Sequence, residues 1–150
     1  MSDHISSTGQ VFSDKERQVL AAVAEAIISQ DAALALPGAS DPAVMHTLLG
    51  KAAHFEARLK AGIEALIGQT DPLAIAPQEL ISLLDKDPRF RSFSNIMTIL
   101  TMQSYYQDPR VLAVHGLAAR PPFPLGHELE SGDWSLLDPV KKRKPIYRPA

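Results

Sequence analysis

Cysteine is absent from this 150-residue chain, which removes disulfides, thiolate chemistry and cysteine-ligated zinc or iron–sulfur centres together. A large charge of one sign is missing too. The 15 Lys and Arg residues against 17 Asp and Glu leave a formal net charge of −2, so no basic field marks the chain as a nucleic-acid partner. No apolar run approaches the roughly 18 residues that a membrane span needs. The N-terminus, Met1-Ser2-Asp3-His4-Ile5, has no basic start and no apolar stretch with a cleavage site, and no twin-arginine pair occurs. The chain as written is therefore expected in the cytoplasm, and in the periplasm only if it travels with an exported partner or has had a signal removed.

The motifs of autonomous catalysis are also lacking. There is no Gly-x-Gly-x-x-Gly or Gly-Lys-Ser/Thr loop to cradle a phosphate and no Gly-x-Ser-x-Gly elbow to present a serine. The histidines, His4, His46, His54, His115 and His127, are scattered, and those on helical segments have no ligand partner one turn away. No catalytic, cofactor-binding or metal-ligating residue is expected in this chain.

What the sequence does contain is helical. Ser13 stands three residues before Glu16, the capping-box spacing, and Val19, Leu20, Val23, Ile27 and Ile28 follow on one face, which predicts a first helix ending near Gln30. Asp31 to Ala39, with Pro37-Gly38, reads as a loop. Asp41-Pro42 then caps a long amphipathic helix with the stripe Leu48, Ala52, Phe55, Leu59, Ile63 and Leu66, weakened by Gly50 and Gly62 and closed by Gly68. A short helix over Gln78 to Asp85 buries Leu80, Ile81 and Leu84. After Asp87-Pro88, a fourth carries Phe90, Phe93, Ile96, Met97 and Leu100 to Tyr105-Tyr106. Asp108-Pro109 starts a last turn of helix around Val111 to Val114 that Gly116 ends. No alternating strand pattern occurs. The chain is expected to be all-α, with a mobile N-terminus over 1–11, a body of four to five helices over 12–117 and a long extended proline-rich tail over 118–150.

The tail is unusual for a segment without periodicity. From Pro121 to Ala150 it holds 6 of the 12 prolines and the only tryptophan. Disordered tails are ordinarily poor in such apolar residues. Burying its side chains falls short of the entropy lost on ordering the whole segment, so anchored stretches separated by mobile ones are expected, on this chain's own body or on another protein. The run Lys141-Lys142-Arg143-Lys144 reads as a solvated face or a contact with an acidic partner, diluted by Glu128, Glu130, Asp133 and Asp138 upstream. Tyr105-Tyr106 packs two amphipathic rings at a helix end, as a lid on the core or as part of a shelf for the tail or a partner.

From Tyr105 to Pro149 the strings Tyr-Tyr-x-Asp-Pro-Arg, Pro-Pro-x-Pro-x-Gly, Gly-Asp-Trp-Ser-Leu-Leu-Asp-Pro-Val and Tyr-Arg-Pro stand in order, and a capped helix opens the domain over Phe12 to Ile28. In these features the chain resembles the gluconate 2-dehydrogenase subunit 3 family, small helical companions of FAD-dependent glucose–methanol–choline (GMC) type dehydrogenases. The resemblance implies a non-catalytic subunit in a hetero-oligomer, helping a large flavoprotein to fold, take up FAD or remain stable, with FAD in that partner. Exported members look like carriers of a twin-arginine signal, which this N-terminus lacks. On this reading Tyr105, Tyr106, Pro122, Phe123, Pro124, Trp134, Leu136, Leu137, Tyr147 and Arg148 contact the partner. The large side chains anchor, the prolines keep the backbone extended, and Arg148 and the lysines meet carboxylates. The rival readings are a free-standing helical adaptor with its tail folded on its own body, and an independent enzyme with an unrecognised cofactor.

Overall fold

The computed structural model describes residues 11–119 and 132–143. It is all-α. Among the described residues the sole β pairing is an isolated antiparallel bridge between Asp31 and Leu36, inside the expected loop. The chain divides into two compact units, Met1–Ala119 and Arg120–Ala150.

Helix α1, Asp14–Ile27, begins on a reciprocal cap. The Ser13 N–H donates to Glu16 Oε2 at 2.7 Å and the Glu16 N–H donates to Ser13 Oγ at 3.3 Å. Val19, Leu20, Val23 and Ala24 are buried along one face. The helix stops short of Gln30 because Glu25 draws the chain around. Its carboxylate accepts from the Gln30 N–H at 3.0 Å, the Ser40 N–H at 3.1 Å and the Ser40 hydroxyl at 2.7 Å. Gly38 makes room for it, since a Cβ there would lie 2.0 Å from Glu25 Oε2.

The long helix expected over 42–67 is two helices, α2 (Pro42–Ala52) and α3 (Glu56–Gln69), joined by a 3-10 turn at Ala53–Phe55. Phe55, placed by its spacing in the apolar stripe, is instead exposed at the start of α3. The reason is length. A straight helix over both segments would run about 42 Å, whereas α5 (Arg91–Tyr105), against which both α2 and α3 pack, is only about 22 Å long. Breaking the rod lets Leu48 and Ala52 on one piece and Leu59, Ile63 and Leu66 on the other reach the same core.

Helix α4, Pro77–Lys86, buries Leu80 and Leu84, while Ile81 is half-buried. Pro88–Phe90 forms a 3-10 turn leading into α5, whose Phe93, Met97, Leu100, Thr101, Ser104 and Tyr105 are buried. Helix α5 is the axis of the body and packs against α1, α2, α3 and α4. Gly62 lets α3 approach it: a Cβ at that position would lie 2.3 Å from the Phe93 ring. Helix α6, Pro109–Val114, ends in a Schellman turn. Gly116 takes φ 68°, its N–H donates to Ala113 O, and the Leu117 N–H donates to Leu112 O. At the N-terminal edge Val11 is half-buried against the core and Phe12 is buried; residues 1–10, the rest of the segment expected to be mobile, lie outside the described residues.

In the C-terminal unit, Trp134–Leu137 forms a 3-10 turn and Asp138–Lys141 one turn of helix, α7; the rest of the segment expected to be an extended tail, 120–131 and 144–150, lies outside the described residues. Local chemistry accounts for these turns. The Asp133 carboxylate accepts from the Ser135 N–H at 3.0 Å, and Pro139 sits in the first turn of α7, where a missing N–H costs nothing.

Candidate partner-binding surface

Asp108 stands at the entrance to α6 and accepts from the Arg110 N–H at 2.8 Å, while Pro109 occupies the next position. Arg110 folds back over this cap, its Nε and Nη2 donating to Asp108 at 3.0 and 2.7 Å. The other edge of the same guanidinium reaches Asp41, the cap of α2, through Nη1 at 3.1 Å and Nη2 at 2.7 Å. One arginine thereby ties two helix N-termini together. Its hydrogen bonds hold both carboxyls below the ordinary aspartate range, and the two carboxylates push the guanidinium further up. Asp87-Pro88-Arg89 repeats the local device, with Arg89 wrapped onto Asp87 and donating to Gln69 Oε1 at 2.9 Å. The Asp-Pro-Arg of the C-terminal motif is therefore a clamp that fixes the end of the body.

The clamp sets the neighbouring tyrosines. Tyr105 is 4% exposed, a core residue whose hydroxyl burial pushes upward in pKa. In this structure its side chain belongs to the core, not to the open surface. Tyr106 is 49% exposed. Its ring meets Tyr105 edge-on, with centroids 5.4 Å apart, and lies 6.1 Å from the imidazole of His115. On α5 the same flank carries exposed Ile99 and Met102, at positions three and four residues apart leading to Tyr106. Neither was singled out by pattern, because the buried stripe of the helix absorbs the periodic signal. The run without a charged residue from Ser92 to Gln107 was the available clue.

In the C-terminal unit, Trp134 and Leu136 are each 74% exposed, and Leu137 and Val140 are exposed beside them. Lys141, Lys142 and Arg143 follow, also exposed, with Lys141 reaching Asp138 at 3.4 Å. The remaining expected contacts, Pro122, Phe123, Pro124, Tyr147 and Arg148, lie outside the described residues. Among the described residues no group of three or more His, Asp or Glu is placed to hold a metal ion. No helix among them is long and apolar enough to cross a membrane. His46, His54 and His115 are all exposed. No protein-family model, curated protein or solved structure matches this chain.

Proposed function

We propose that this chain is a non-catalytic accessory subunit that binds a large FAD-dependent dehydrogenase of the GMC type and supports its folding, flavin uptake or stability, the FAD belonging to the partner. The resemblance over Tyr105 to Pro149 supplies the identity of the partner. The observation that carries the binding role is the stretch from Trp134 to Val140, in which Trp134, Leu136, Leu137 and Val140 are exposed on turns capped by Asp133. Large aromatic and aliphatic side chains dominate interface energies once desolvated in a partner's pockets, and a turn already formed loses less entropy on docking. The adjacent cations suit a partner surface bearing carboxylates.

The sole tryptophan makes this directly measurable. In the isolated chain, emission from Trp134 is expected at long wavelength and open to acrylamide quenching; on complex formation it shifts blue and becomes protected. A tagged chain purified gently from its native cell is expected to carry a large protein with a flavin absorbance spectrum, and Trp134→Ala to lower that recovery at least tenfold. Recovery without flavin refutes the proposed partner. Strong hydrogen-exchange protection around Trp134 in the isolated chain would favour a free-standing adaptor instead.

A further inference from the structure

Nothing in the local sequence stops the chain between α2 and α3. From Lys51 to Ala61 there is neither glycine nor proline, and most of the residues are strong helix formers. The starts of α1, of α2, of the turn before α5 and of α6 are capped by Ser13, Asp41, Asp87 and Asp108, whereas α3 begins on Phe55 without a side-chain cap. Ala52, Ala53 and Glu56 keep helical dihedrals, and Phe55, at φ −118° and ψ 18°, departs from them. The apolar stripe Leu48, Ala52, Phe55, Leu59, Ile63 and Leu66 runs through the junction at helical spacing, and Phe55 is its one exposed member.

We infer that this junction is a hinge, and that it opens to exchange α1 and α2 with a second copy of this chain. A lone chain cannot straighten it, because a continuous rod of about 42 Å cannot keep both of its ends on a helix of about 22 Å. Two chains can. The contacts that hold α1 and α2 in the body are made with elements beyond the junction. Helix α1 packs on α3, α4 and α5, and α2 packs on α5. Arg110 reaches back to Asp41, and the Lys51 ammonium donates to Gln103 O at 3.3 Å and to Gln107 Oε1 at 3.1 Å. A second copy offers each of these groups in the same arrangement, so an exchanged pair repeats them between chains and changes only the junction. There the pair gains the continuous amphipathic helix for which the stripe is patterned, and two-fold symmetry brings the two junctions, with their Phe55 rings, beside one another. Complementarity fixes the occupant, since the surface that α1 and α2 leave is the one their counterparts in an identical chain already fit. The inference does not depend on the identity of the larger partner.

The test is refolding of the full-length chain from guanidinium at low and at high concentration, with mass read by size-exclusion chromatography and light scattering. Because the chain lacks cysteine, Ala43→Cys and Ala65→Cys, both at exposed positions, supply its only thiols for a pair of spin labels. Dilution with unlabelled chain confines the distance measured by pulsed electron paramagnetic resonance to one molecule. The expected result is a monomer at low concentration and a dimer at high concentration, with the labels in the dimer about 33 Å apart along a straight helix and nearer together in the monomer. Phe55→Asp, which supplies the missing cap to α3, is expected to lower the yield of dimer at least tenfold without lowering the thermal midpoint of the monomer. If that variant folds poorly, insertion of two glycines between His54 and Phe55, which relaxes the junction, is expected to give the same loss of dimer. A dimer that keeps the monomer's label distance is an ordinary association of folded copies and overturns the inference. So does a chain that stays monomeric at high concentration, or a dimer whose yield neither variant reduces.

Discussion

Replacing Arg110 by Ala should destabilise the body by about 2–3 kcal/mol, and the clamp shows where that comes from. Asp108 presents only 4% of its side chain to solvent, so it cannot recover hydration when the guanidinium is removed. Its backbone partner, the N–H of residue 110, survives the substitution, but the two charge-assisted bonds from Nε and Nη2 do not. Hydrogen bonds to charged groups contribute roughly 1.5–3 kcal/mol. Asp41 is 23% exposed and faces a half-exposed arginine, so its pair adds about 0.5 kcal/mol. The sum stays under the roughly 3–5 kcal/mol of a fully buried pair. For a body of this size the loss corresponds to a fall of about 8–12 °C in Tm. Thermal unfolding followed by circular dichroism at pH 7 measures it, and a double-mutant cycle with Asp108→Asn isolates the coupling between Arg110 and Asp108. The pH dependence supplies an independent check. Both carboxyls have folded-state pKa values lowered by Arg110, so their contribution is present above the unfolded aspartate value of about 3.9 and disappears as pH falls through the folded values. The penalty of Arg110→Ala should therefore shrink toward zero in strong acid. A loss below about 0.5 kcal/mol at pH 7, or one that persists undiminished with both carboxyls protonated, would refute the clamp.

Two glycines that look alike in sequence should respond in opposite directions. Gly50→Ala, where an added Cβ meets nothing within 4 Å, should stabilise by about 0.5–1 kcal/mol, and Gly62→Ala, driven into the Phe93 ring, should destabilise by about 1–3 kcal/mol in urea unfolding. Ser13→Ala removes one half of the reciprocal cap on α1 and should cost about 1 kcal/mol, with hydrogen exchange of the Glu16 amide accelerated. Gly38→Ala should displace the Glu25 carboxylate from the Gln30 and Ser40 amides, a loss of roughly 1–3 kcal/mol accompanied by faster exchange at both positions.

Signals that act across a few residues were readable without coordinates. Ser13 with Glu16 marks the start of α1, and Asp41, Asp87 and Asp108, each followed by proline, cap the helical segments that follow them. The same chemistry stands at Asp133 and Pro139, at the start of the turns over residues 134–141. A capping bond joins a side chain to an amide two or three positions away, so its geometry is complete within the segment.

Sequence alone therefore determined the helical class, the caps, most of the buried stripe and the presence of a tryptophan-bearing segment beyond the body. Tertiary structure decided what depends on distance between elements. The break at Ala53–Phe55 follows from the shortness of α5, and the role of Gly62 from the approach of α3 to Phe93. The pairing of Arg110 with Asp41 spans 69 positions. Which of two adjacent tyrosines is core and which is surface, and which flank of α5 stays open, depend on where the other helices lie. Periodicity defines the faces of a helix, but only packing selects the one that is covered.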